Sequence, residues 1–297
     1  MQVDRAKEIV ILSGKGGTGK TTLAASLSKL IPYKVIVDAD VDASDLFILL
    51  KPDPLRQNKF KGGSIASIDT KKCIQCGECE KKCRFNAISK NTEGNFIVDP
   101  YKCEGCEFCT YVCPVNAIKM NPQIVGNWYV SETSFGTMVH ARLIPGAENS
   151  GNLVALVKRE AQLIANKKGL KSIIVDGPPG IGCPVISSLS GAALALIVTE
   201  PTLSGIHDLD RILSTCKQFN VNAKIIINKA DINQSNTEKI QQFANKNGLE
   251  IMGKIPFDRC VVKNLSKNLT PIDSDNCGDV KEEIKKISND ILRYLSE

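Results

Sequence analysis

Aromatic side chains and histidine are scarce in this sequence: among 297 residues there are one Trp, nine Phe, five Tyr and only two His. His140 and His207 have no metal-ligating neighbours in sequence, which argues against a histidine-based mechanism and leaves both with structural roles. Long apolar runs are missing too. The longest, such as Ala192–Val198, fall far short of the roughly 20 residues that cross a bilayer. Met1–Lys7 has no apolar stretch of the kind an export signal carries. A membrane-embedded or exported chain is therefore not expected, and a cytoplasmic one is. Nor does the composition, 42% hydrophobic and 24% charged, carry the bias of a disordered or fibrous protein. The length allows one large α/β domain and one small one.

Cysteine, by contrast, is abundant. Twelve cysteines without an export signal argue against a disulfide framework, because cytosolic reductants keep thiols free, and point to metal. Eight of them fall between residues 73 and 113. The net charge of +6 is equally local: residues 51–90 hold ten basic and four acidic side chains, a surplus equal to that of the whole chain. That surplus compensates thiolate-bound metal or offers a docking face to an acidic partner; its confinement argues against nucleic acid.

Apolar runs at Ile9–Leu12, Val35–Val37, Ser172–Val175, Leu194–Val198, Ile225–Ile227 and Ile251–Ile255 read as strands buried on both faces. Helix-like segments at 21–30, 152–167, 205–219, 235–246 and 279–296 lie between or after them, as a doubly wound, mainly parallel sheet requires. The alternation fails from about 51 to 125, and Pro52, Pro54, Gly62-Gly63 and Pro122 read as the edges of an insertion. The expected division is an α/β domain from 1–64 and 123–297 and a small α+β insert at 65–122.

Within the insert, Cys73–Ile88 and Cys103–Ile118 repeat one pattern at an offset of thirty residues, both closing on Asn-Ala-Ile. The spacings Cys73-x2-Cys76-x2-Cys79-x3-Cys83 and Cys103-x2-Cys106-x2-Cys109-x3-Cys113-Pro114 resemble bacterial ferredoxins, in which the fourth cysteine of each run ligates the other cluster. That resemblance implies two 4Fe-4S clusters, one held by Cys73, Cys76, Cys79 and Cys113, the other by Cys103, Cys106, Cys109 and Cys83. Tetrahedral zinc is the alternative for such Cys-x2-Cys pairs. Arg84 stands where the second run has Pro, placing a positive charge near one cluster without removing a ligand.

Gly14-Lys15-Gly16-Gly17-Thr18-Gly19-Lys20-Thr21 follows a strand, precedes a helix and satisfies the P-loop pattern. Its glycines free backbone N–H groups for phosphate oxygens, Lys20 reaches the β- and γ-phosphates, and Thr21 can hold Mg2+, with Thr22 adjoining. The additional Lys15 resembles the deviant Walker A motif of the MinD, ParA, Mrp and nitrogenase iron protein family. The resemblance implies a P-loop ATPase, slow and partner-stimulated, that sandwiches ATP in a homodimer with Lys15 reaching the partner's phosphates. Val37-Asp38-Ala39-Asp40 resembles the family's switch I, with Asp40 orienting the attacking water beside the Mg2+ shell. Asp176-Gly177-Pro178-Pro179-Gly180 resembles Walker B and switch II, placing Asp176 near Mg2+ and Gly180 near the γ-phosphate. Asn228-Lys229-Ala230-Asp231 resembles the base-reading loop through Asn228, and Ile255-Pro256-Phe257-Asp258 the segment over the base. On this basis Lys15, Lys20, Asp40 and Asp176 are the expected catalytic residues, and Asp42 and Asp45 are expected to cap or face solvent.

Cys183 lies seven residues after Asp176, the offset at which the nitrogenase iron protein has a cluster-ligating cysteine, so a bridging cluster is the alternative to the free thiol expected there; Cys216, Cys260 and Cys277 are expected to be free thiols. A face of Ile284, Ile287, Ile291 and Leu295 in the last helix is expected to pack on the core rather than on a membrane. The function expected is an ATP-switched homodimer that passes electrons through its clusters to a redox partner protein. The alternatives are a metallocofactor assembly ATPase acting on a client protein and a ParA/MinD-like positioning ATPase with the clusters as redox sensor.

Overall fold

The computed structural model describes residues 5–147 and 150–296; the first residues of the Met1–Lys7 stretch read above lie outside it. In chain order the elements are β1 (Lys7–Ser13), α1 (Lys20–Leu30), β2 (Lys34–Asp38), α2 (Leu46–Leu50), β3 (Asp53–Ile68), α3 (Glu78–Lys82), β4 (Ile88–Lys90), β5 (Phe96–Val98), α4 (Phe108–Val112), β6 (Ile118–Thr133) and β7 (Gly136–Leu143). There follow α5 (Ser150–Lys168), β8 (Ser172–Pro179), α6 (Cys183–Leu189), β9 (Leu194–Thr199), α7 (Leu203–Gln218), β10 (Asn222–Asn228), α8 (Gln234–Lys246), β11 (Ile251–Ile255), α9 (Arg259–Leu265) and α10 (Gly278–Ser296).

The chain divides into two compact units, one of Met1–Asn58, Asn127–Leu143 and Ser150–Glu297, the other of Lys59–Gly126 and Ile144–Asn149. Among the described residues, the large sheet has the order β11-β10-β9-β1-β8-β2-β7-β6-β3. From β11 through β7 every neighbouring pair is parallel. Each apolar run read from the sequence becomes one of these strands, and β1, β2, β8 and β9 are almost entirely buried. Helices then cover the sheet, because strands apolar on both faces must be shielded from water twice. A large apolar cluster joins α1 to the strands and to α10, whose Ile284, Ile287 and Ile291 are buried and whose Leu295 packs at the margin. No described helix is long and apolar enough to cross a membrane.

Gly62-Gly63, Pro54 and Pro122 are not loop residues; they lie inside β3 and β6, strands of 16 residues each. Most of β3 is exposed, so it lacks the apolar run that betrays a buried strand, and as the last strand in the sheet order it tolerates proline.

The second unit has its own small core of Ala66, Cys79, Ile88, Phe96 and Ile118, packed around by Cys73, Cys83, Cys103, Cys109 and Cys113 among others. Its thirty-residue repeat is structural as well. Left-handed backbone recurs at Gln75 and Gly105, at Gly77 and Glu107, and at Asn86 and Asn116. The amides of Ala87 and Ala117 donate to the sulfurs of Cys83 and Cys113 at 3.4 and 3.2 Å.

Candidate nucleotide site and cysteine cavities

The turn from β1 into α1 is set by Gly17 and Gly19, at φ 79° and 91°, conformations that side-chain-bearing residues rarely adopt. Gly19 caps α1, so the amides of the first turn are left facing outward at its positive end. A cavity of about 380 Å³ opens there. Gly17, Gly19, Lys20, Thr21, Thr22 and Asn228 line it, as does Ile255 next to Pro256, while Gly14, Lys15, Gly16, Thr18, Asp40, Asp176, Gly180 and Pro256 lie off its wall. The Asn228 amide donates to the Thr18 carbonyl at 2.8 Å and so ties the end of β10 to the loop. The Gly180 amide donates to the Ser13 carbonyl at 2.9 Å and ties the segment after β8 to it from the other side.

Asp38, the last residue of β2, is in direct register with Asp176 on the neighbouring parallel strand β8. Asp38 accepts from the Ser44 hydroxyl and from the amides of Asp40 and Leu46, which makes it the anchor of the 40–46 segment. Burial, then the Asp176 carboxylate, raise its pKa well above the usual carboxylate range. Burial likewise pushes Asp176 up to about 7, against the pull of Lys20, and Asp40 and Asp45 push it further up. Neither Asp176 oxygen has a hydrogen-bond partner, although the residue is buried. Orphaned carboxylate oxygens facing a P-loop threonine are the donor set a hard, oxygen-seeking cation requires, so Mg2+ fits these residues. Asp40 is raised mainly by burial, against the pull of Lys20.

Lys15 turns away from its own loop: its Nζ bonds the Ser204 and Thr202 hydroxyls at 3.1 and 3.3 Å and lies 3.8 Å from Glu200, which also holds Lys229. Asp45 stands at the N-terminus of α2 but its side chain makes no cap; it lines the cavity instead. Sequence reading also missed the apolar wall of Val261, Val262, Leu265, Pro271, Val280 and Ile284. Those side chains sit in ordinary helical patterns, and only the fold shows which of them face the cavity.

Cys260 and Cys277 are not free thiols but form a disulfide. Their spacing of 17 residues carries no motif, and the pairing depends on α9 packing against the 3-10 turn Asp275–Cys277. Cys183 is exposed and Cys216 buried, both free. His140 bonds Ser131 and stacks on Tyr129, and burial lowers its pKa to about 4, as a structural histidine should behave.

In the second unit the thiols line two cavities. One, of about 610 Å³, is walled by Cys83, Cys103, Cys106 and Cys109 together with Cys79, Phe85, Phe108 and Arg84. The other, of about 20 Å³, is walled by Cys73, Cys76, Cys79 and Cys113. Each cavity thus collects three cysteines of one run and the fourth of the other. Among the described residues no three metal-ligating side chains converge closely enough to grip one ion. The donor set fits 4Fe-4S clusters by chemistry, whereas the smaller cavity has room for about one water and must widen to accept one. Burial, then its neighbouring cysteines, push the Cys109 thiol up to about 11, so metal binding there must displace a proton.

A family model described as the CobQ/CobB/MinD/ParA nucleotide binding domain matches residues 9–272. An uncharacterized protein of Methanocaldococcus jannaschii is 34% identical over 97% of this chain and 97% of its own length. Among solved structures, the MinC:MinD cell division protein complex of Aquifex aeolicus is 21% identical with a TM-score of 0.55, covering 97% of this chain and 96% of that one. The septum site-determining protein MinD of Pyrococcus horikoshii in complex with Mg-ADP is 15% identical with a TM-score of 0.56, covering 96% of each chain. At these identities the structures are alike in fold.

Proposed function

The chain belongs to the CobQ/CobB/MinD/ParA nucleotide-binding family, and from that premise we propose a MinD/ParA-like switch ATPase whose second unit holds two 4Fe-4S clusters as its redox-responsive part. The observation that carries the second half is the distribution of thiols: each cavity gathers a crossed set of four cysteines. The sets are Cys73, Cys76, Cys79 with Cys113, and Cys103, Cys106, Cys109 with Cys83. When bound, such clusters accept and release single electrons.

In the first unit, Lys20 and the amides of Gly14–Thr22 hold the triphosphate, Thr21 and Asp176 hold Mg2+, Asp40 orients the attacking water, and Gly180 follows the γ-phosphate. Asn228 and the Pro256 segment flank the base. Lys15 acts across an ATP-dependent homodimer. The family membership and the likeness to MinD structures move weight from plain electron transfer to this switch reading, in which nucleotide state sets subunit pairing and the second unit answers to redox conditions. ATP-coupled electron transfer to a partner protein is the second reading, favoured by the size of the larger cysteine cavity; delivery of a metallocofactor stands behind it.

Anaerobic iron and sulfide analysis tests the cluster module first, with tetrahedral zinc as the opposing result. EPR redox titration with and without MgATP then separates the readings. A nucleotide-dependent potential supports electron transfer. An unchanged potential, together with ATP-dependent dimerisation that differs between oxidised and reduced protein, supports the switch.

A further inference from the structure

The Cys260–Cys277 disulfide closes the one wall of the nucleotide cavity that regular structure does least to hold. Cys260 is the second residue of α9, a helix of only seven residues, and Cys277 ends a short 3-10 turn just before α10. Between them the chain runs through two 3-10 turns, held by the Thr270–Asp273 capping box and by Asn264, whose amide donates to the Thr270 carbonyl, the Ser274 hydroxyl and the Cys277 sulfur. Val261, Val262, Leu265 and Pro271 lie inside the closed loop and Val280 and Ile284 just beyond it, and together they form the apolar wall opposite Lys20 and Thr21.

We propose that this disulfide is a redox switch on nucleotide affinity. Oxidised, it holds the wall in its binding geometry, so nucleotide does not have to order the loop; reduced, the loop must be ordered at the expense of binding. The step balances with a dithiol of the thioredoxin or dithiothreitol class. The single S–S bond breaks, the two protein sulfurs take up two electrons and two protons and become thiols, and the dithiol closes to its own disulfide. Both sulfurs are shielded, Cys260 at 8% exposure and Cys277 at 0%, so a reductant reaches them only when the wall opens. Bound nucleotide opposes that opening. Because linkage is reciprocal, a fold-change in nucleotide affinity between the two redox states reappears as the same factor in the disulfide's equilibrium with a dithiol.

The inference rests on the cavity being the nucleotide site, and the experiment keeps the two apart. The full-length protein, handled anaerobically, is poised in dithiothreitol buffers of graded ratio. Cys260 and Cys277 are scored by differential alkylation and peptide mass spectrometry, and the affinity for a fluorescent ATP analogue is measured at each poise. The expected result is affinity about 5- to 10-fold weaker once the pair is reduced, with ATP shifting the midpoint by about 30 mV for a tenfold effect. The Cys260→Ser/Cys277→Ala double variant is expected to bind like the reduced form at every poise. Equal affinity in both states overturns the switch while leaving the nucleotide site intact. Redox dependence that persists in the double variant also overturns it, because other thiols or clusters are then responsible. No binding in either state removes the nucleotide site and the switch together.

Discussion

Asp38, the last residue of β2, pairs in register with Asp176 within β8, two buried carboxyl groups of which the first is hydrogen-bonded on both oxygens and the second has no partner on either. Burial raises both above the ordinary carboxylate range, helped at Asp38 by the Asp176 carboxylate and at Asp176, which reaches about 7, by Asp40 and Asp45. A raised folded-state pKa means that the native protein binds protons the unfolded chain has released, so this contribution to stability is complete below about pH 4 and is lost as pH rises through 7. Without Mg2+ and nucleotide, Asp176→Asn should therefore be more stable than the parent at pH 8, by an amount on the order of a few kcal/mol, and should converge with it near pH 4. Urea unfolding across pH 4–8 measures the difference. A constant gap between the two proteins at all pH values would mean that Asp176 is not the titrating group. The same substitution should abolish Mg2+-dependent hydrolysis.

Two lysines of one loop should separate functionally. Lys20 lines the cavity and is buried, whereas Lys15 is held by Ser204, Thr202 and Glu200. Lys20→Ala should weaken ATP binding about 10- to 100-fold, the loss of a charge-assisted phosphate contact. Lys15→Ala should retain binding by the monomer yet lose ATP-dependent dimerisation, read by light scattering on a sizing column. Dimerisation by Lys15→Ala at parental ATP concentrations would remove the cross-subunit role.

How much of this was legible in the sequence follows from burial. Strands such as Ile9–Leu12 and Leu194–Val198 declare themselves because both faces are buried and the apolar run is unbroken. β3 and β6 do not, because β3 is largely exposed, β6 mixes buried, half-buried and exposed positions, and the two carry Pro54, Gly62 and Pro122 within them. The site divides along the same line. Residues fixed by phosphate chemistry, Gly17, Gly19, Lys20 and Thr21, stand in a local motif. Asp38 and Asp45 look like any loop carboxylate until the register of β2 with β8 and the mouth of the cavity are known. Cys260 and Cys277 were misread as free thiols for the same reason, since nothing local to either announces its partner.

The P-loop glycines are not equivalent. A Cβ on Gly14 would lie 2.1 Å from the Asp208 Cβ, whereas one on Gly16 meets nothing within 4 Å. Gly14→Ala should push α7 away from the loop and destabilise the protein by about 1–3 kcal/mol, while Gly16→Ala should stay within about 0.5 kcal/mol of the parent. Thermal and urea denaturation check both. Equal effects would mean that the approach of Asp208 to the loop is not tight in solution.

The crossed arrangement of the cysteines, implied by the ferredoxin-like spacing and matched by the lining of the two cavities, is testable by substitution. Cys83 follows Cys73, Cys76 and Cys79 in the chain but lines the larger cavity with Cys103, Cys106 and Cys109, and Cys113 lines the smaller one with the first three. On the proposed reading, replacing Cys73, Cys76 and Cys79 together by Ser should lower the iron content from about eight to about four per chain. In that background Cys83→Ser should remove the remaining cluster, while Cys113→Ser, its original partners already gone, should leave it in place. Uncrossed ligation predicts the reverse, with Cys113 essential and Cys83 dispensable. Because the unit's core is small and partly made of cysteine, far-UV circular dichroism must accompany the iron analysis. A variant that keeps its secondary structure and loses its iron has lost a ligand, and one that loses both has lost the packing that the thiols provide.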